Sequence, residues 1–154
     1  MISKGRRGLN MIEQPTIRRR TSIGTAVGIL SALYALTFFV GALLHLGWRI
    51  PLGFTVLAEP GILPAAVVEG LCGLALAAAA IAVFTDIRWA WTAAFAAHAY
   101  ALGGVLLGVT ALALGAGPST DLNTIYHRVM LIALVAVLAL LLSSAGRTAL
   151  RRPA

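Results

Sequence analysis

Apolar residues gather into four long runs, and polar ones are confined to the breaks between them. The runs cover about residues 22–46, 63–84, 89–114 and 125–144. Each is near or above the roughly 20 residues that carry a helix across the hydrocarbon core of a bilayer. Alanine and leucine dominate them, which indicates helices; a barrel would alternate in segments of about ten residues. The pattern predicts an all-α membrane fold, an antiparallel four-helix transmembrane bundle. Thr85-Asp86-Ile87-Arg88 separates the second run from the third and leaves room only for a tight turn. The first run follows basic residues, as a signal peptide would. It is too long for the apolar core of about 7–15 residues that such a peptide has, and it reads as an uncleaved first span.

Composition sharpens this picture. Of 154 residues, 60% are hydrophobic and 11% charged, where a soluble domain carries roughly 25% charged residues. One domain over 22–145 is expected, flanked by basic tails over 1–21 and 146–154, with Met11 as a second candidate start. The formal charge is +7, and ten of the twelve Lys and Arg residues fall in the two tails and the Asp86 turn. Arg49 and Arg128 alone fall in the other two breaks. That asymmetry places both termini in the cytoplasm of an integral cell-membrane protein and brings the tails to anionic headgroups. The tails have no interleaved aromatics, which argues against nucleic acid as a partner. Trp48, Trp89, Trp91 and Tyr126 fall near run ends, where interfacial aromatics belong.

Small residues mark the faces that turn inward. Gly24, Gly28, Ser31, Ala35, Ala42 and His45 lie on one face of the first helix. Glu69, Gly73, Ala77 and Ala80 share a face of the second, and Ala94, His98, Ala101 and Gly108 one of the third. The lone cysteine, Cys72, excludes an internal disulfide, a CxxC motif and c-type haem attachment, and reads as a packing residue. The phosphate-binding loop of primary transporters is absent.

The polar residues inside this scaffold carry the candidate chemistry. Glu69 lies roughly 8 Å into its helix at about 1.5 Å per residue, and His98 roughly 14 Å from the opposite surface. His45, Glu69 and His127 therefore share one depth, with Tyr126 beside His127 and with Arg49, Arg128, Glu59 and Asp121 above them. A carboxylate at that depth needs a partner, so Glu69 is expected within reach of Arg49, Arg128, His45 or His127. Three readings follow. The group is a structural network that locks helices together. Or it is a pocket for a quinone or other small ligand, with Glu69 and a histidine handling protons. Or it holds a cofactor: b-type haem between two imidazoles, or Zn or Cu on His45, Glu69 and His127. Three histidines are too few for two bis-His haems, and no HxxxH or HExxH spacing is present.

The stretch from Val67 to Gly108 resembles the DoxX-like family of small four-helix membrane proteins. The resemblance rests on Val68-Glu69-Gly70 opening the second span, on Gly73, on Thr85 and Arg88 in the turn, and on an apolar third span. It covers about half of the chain, and LNTIYHRVM in the fourth span departs from the pattern. Some members are small subunits of membrane oxidoreductases, including thiosulfate:quinone oxidoreductase. The resemblance thus implies a subunit or scaffold of a membrane redox complex, not catalytic on its own. Its partners would be the lipid bilayer and other membrane subunits or further copies of itself.

Overall fold

The computed structural model describes residues 21–118 and 120–151. The N-terminal tail up to Arg20 and Arg152 of the second tail lie outside the described residues. The chain forms α1 (Ser22–His45), β1 (Ile50–Pro51), β2 (Val56–Leu57), α2 (Leu63–Phe84), α3 (Ala90–Ala113), α4 (Asp121–Leu142) and α5 (Ser144–Leu150). Helices α1 to α4 are each long and apolar enough to cross a membrane. Their outward side chains are apolar as well: Leu36, Ile81 and Ile132 are all more than half exposed. A helix that is apolar all round has lipid or protein as its solvent, and the fold is that of a multi-pass membrane protein.

Local chemistry sets the helix ends. Thr21 accepts a hydrogen bond from the Gly24 amide and caps α1. At the other end Gly47, at φ 90°, turns the chain out. Its amide and that of Trp48 donate to the carbonyls of Leu44 and Leu43, a pattern that favours glycine at the left-handed position. Pro64 sits in the first turn of α2, where its missing N–H costs nothing.

Two element boundaries differ from expectation. Helix α4 begins at Asp121, ahead of the apolar run, because Thr120 caps it by accepting from the Asn123 amide. The expected tail over 146–154 is in part a helix. Ser143 breaks α4 and its hydroxyl accepts from the Gly146 amide, so the chain starts again as α5. Leu150 is buried, which gives the segment an apolar anchor. A two-residue antiparallel ladder, Ile50 with Leu57 and Pro51 with Val56, also forms in the first break.

The interior has two apolar layers. One joins Ala35 and Phe38 with Cys72, Leu76, Ala101, Met130 and Leu134. The other joins Val27 with Val83, Ala90, Ala94, Val137, Leu141 and Leu150. The expected inward faces of α1 to α3 are buried, apart from Ala77 and Gly108, which are half-buried. Backbones approach closely from α1 to α2, α2 to α3 and α3 to α4, but α1 and α4 do not pack closely. Their contact runs through side chains, with Phe38 edge-on to Tyr126 at 6.2 Å between ring centres. The bundle therefore has a seam on one side.

Candidate functional site

The seam is capped at one end by the chain between α1 and α2. After the β1–β2 hairpin, residues 58–62 return across the end of α1 and are tied down at three points. The Ile62 amide donates to the His45 carbonyl at 3.0 Å. His45 Nδ1 lies 3.2 Å from the Pro60 carbonyl oxygen. Thr120 Oγ1 lies 2.7 and 2.8 Å from the two carboxylate oxygens of Glu59, sharing its hydrogen between them. This strap fastens α1 to the start of α4 where their backbones stay apart.

Under the strap is a cavity of about 140 Å³. Its apolar wall includes Val40, Leu44, Leu57 and Leu122; Glu59, Glu69, His45, Asn123 and Tyr126 also line it, and among the described residues no Lys or Arg does. Glu69 is 6% exposed and His45 4%. Glu69 Oε1 stands 3.9 Å from His45 Nε2, an ion-pair distance too long for a hydrogen bond. Glu69 Oε2 and Tyr126 Oη are buried without a hydrogen-bond partner. Gly41 makes room for the carboxylate: a Cβ there would collide with Oε2 and come within 2.9 Å of Cδ.

The pairing of Glu69 with a histidine, expected from shared depth, is present. The other residues singled out in the sequence are placed differently. Arg49 and Arg128 are exposed and make no ion pair with Glu69, since long cationic side chains reach the aqueous boundary at little cost. His127 is buried, but its Nδ1 bonds the Asn123 carbonyl one turn back at 2.9 Å, and its Nε2 presses against Gly108. His98 lies in the apolar interior, bonding the Ala94 carbonyl through Nδ1 at 2.7 Å and meeting Tyr34 edge-on at 6.1 Å. Tyr126 alone of the α4 candidates reaches the cavity.

This arrangement does not fit the cofactors considered above. No group of three or more His, Cys, Asp or Glu side chains able to hold a metal ion occurs among the described residues, so His45, Glu69 and His127 do not form a ligand set. Of the three histidines only His45 touches the cavity. A space of this size accepts one six-membered ring, not a haem macrocycle. Thr120, Asn123 and Gly41 were not foreseen as members of the site. Thr120 carried a sequence signal, as a capping residue just before Asp121; Gly41 carried none.

No family model matches the chain, and neither a curated protein nor a solved structure matches it.

Proposed function

We propose that the protein is a small integral membrane subunit whose strapped pocket binds one ring-sized ligand with hydrogen-bonding polar atoms, a quinone headgroup being the candidate. In this reading the bundle is antiparallel with both termini cytoplasmic, and the pocket lies at the extracytoplasmic end. The layer around Val27 supports the antiparallel sense, since it joins the start of α1 to the end of α2 and the start of α3 to the end of α4. The Lys and Arg asymmetry supports the orientation. The DoxX-like resemblance supports a place in a membrane redox complex, with other subunits or further copies against the apolar helix faces.

One observation carries the ligand reading: Glu69 and Tyr126 both line one cavity, and Glu69 Oε2 and Tyr126 Oη are both buried without hydrogen-bond partners. Leaving them so is costly, because an unpaired polar group in a low-dielectric interior costs about 1–3 kcal/mol; the third such atom among the described residues, His98 Nε2, lies away from the cavity. The scaffold reading draws on the strap tethers, which hold α1 to α4 but stop short of these two atoms.

Purification in mild detergent followed by native mass spectrometry and solvent extraction tests the function. A stoichiometric ring compound, lost in Glu69→Gln, is the expected result; a ligand-free protein bound only to partner chains would sink the pocket and leave the scaffold. Single cysteines at Phe54 and Arg88, in a Cys72→Ala background, test the topology. Labelling at position 54 from outside and at position 88 from the cytoplasm is expected, and the reverse pattern overturns the orientation.

A further inference from the structure

The break between α1 and α2 differs from the other two in being apolar. The turn between α2 and α3 carries Asp86 and Arg88, and residues 115–120, between α3 and α4, are all small or polar. Residues 46–58 instead hold Trp48, Phe54 and five Leu, Ile or Val residues, with Arg49 as their sole charge. The hairpin turns only part of this surface to the bundle. Ile50 and Leu57, paired across the ladder, are half-buried, and Leu57 meets the cavity. Pro51, Leu52 and Val56 are exposed. Phe54 is 90% exposed, more than any other large apolar side chain among the described residues. It sits at a tip closed by the Leu52 amide, which donates to the Thr55 carbonyl at 2.8 Å, with Gly53 at φ 84° making the bend. Packing within the chain does not hold Phe54 there.

Three observations select lipid as the cover. The chain leaves α1 at Leu46 and enters α2 at Leu63, both more than half exposed at the ends of apolar spans, so the hairpin stands at the hydrocarbon boundary. Trp48 at its foot is 62% exposed, and an indole belongs at that boundary. Arg49 beside it is exposed and in no ion pair among the described residues, so its guanidinium can meet a lipid phosphate. The backbone limits the depth. The outer edges of a two-stranded ladder carry N–H and C=O groups that hydrocarbon cannot satisfy, so the hairpin rests in the interface.

We infer that the β1–β2 hairpin is a lipid-binding element: Phe54, with Leu52 and Val56, enters the headgroup–acyl boundary of the adjacent leaflet while Arg49 meets its phosphates. The hairpin runs directly into the strap, so lipid holds one end of the cavity roof and Thr120 the other. The inference depends neither on what the cavity binds nor on which leaflet is the outer one.

A nitroxide on Phe54→Cys, in a Cys72→Ala background, tests it in nanodiscs of phosphatidylcholine and phosphatidylglycerol that hold this protein alone. Electron paramagnetic resonance reads collisions with oxygen, which concentrates in lipid, and with a nickel chelate, which stays in water. Nitroxides on Ile132→Cys, 71% exposed within α4, and on Arg88→Cys set the lipid and water ends of the scale. Position 54 is expected to favour oxygen over the chelate several-fold more than position 88 does. Val56→Cys, which keeps Phe54, is expected to give the same preference. A ratio at position 54 equal to that at position 88 puts the tip in water and overturns the inference. Few collisions with either reagent put it against protein, a second copy of the chain, and overturn it as well. Phe54 and Val56 are both exposed, so neither substitution disturbs the packed interior.

Discussion

The two ends of the bundle solve the same problem differently. At the α5 end polar groups are spent on packing. Trp91 stacks on Phe95 at 5.3 Å with an interplanar angle of 5°, donates through Nε1 to the Leu141 carbonyl at 2.9 Å, and carries the Arg151 guanidinium 3.9 Å above its ring. At the hairpin end one carboxylate oxygen of Glu69 and the Tyr126 hydroxyl are left buried without hydrogen-bond partners, on residues that line a cavity. Unsatisfied polarity in a native interior calls for an explanation; two of the three such atoms among the described residues lie at the hairpin end, and the third, His98 Nε2, lies in the apolar interior.

Four substitutions sharpen or break this comparison. Cys72 is fully buried and is the sole cysteine of the chain, so a thiol-reactive dye reports unfolding directly. Trp91→Ala removes the stack, the hydrogen bond and the cation contact together. It is expected to cost about 3–5 kcal/mol, seen as the largest fall in Tm. A small effect would show that the α5 end is not the firm one. Gly41→Ala drives a Cβ into the Glu69 carboxylate and is expected to cost about 1–3 kcal/mol, as overpacking does. An unchanged Tm with intact ligand binding would mean that the carboxylate does not seat there.

Thr120→Val removes the α4 cap and the Glu59 clamp. Its expected cost is about 1–2 kcal/mol, with faster ligand exchange measured on the same protein. Glu69→Leu is the smallest and the most telling. Replacing a poorly paired buried carboxyl by an apolar side chain is expected to hold stability or raise it by about 1 kcal/mol, while ligand binding disappears. A clear loss of stability would return Glu69 to the role of a structural strut.

The four spans were legible because lipid demands long, uniformly apolar helices and the runs meet that demand without ambiguity. The pairing of His45 with Glu69 was legible too, since helix rise puts both at one depth on inward faces. Arg49 and Arg128 misled, because charge alone proposes partners while side-chain length lets these two leave. His127 misled for the opposite reason: a carbonyl one turn back on its own helix satisfied it locally. Helix α5 hid behind Arg147 and Arg151, whose charges suggest a tail, although Ser143 and Leu150 supply a start and an anchor. The seam has no signature in one sequence, for it depends on which two helices fail to approach.

One hydroxyl gives the strap a wider reach than its length. Thr120 receives the Asn123 amide as the start of α4 while its hydrogen serves Glu59. Lifting the strap therefore loosens the first turn of α4, and fraying of that turn loosens the strap. The mouth of the seam and the beginning of a transmembrane helix thus open as one cooperative unit. An occupant pressing on Glu59 would be registered along α4 as a change in helical order, felt by any neighbour that packs against that helix.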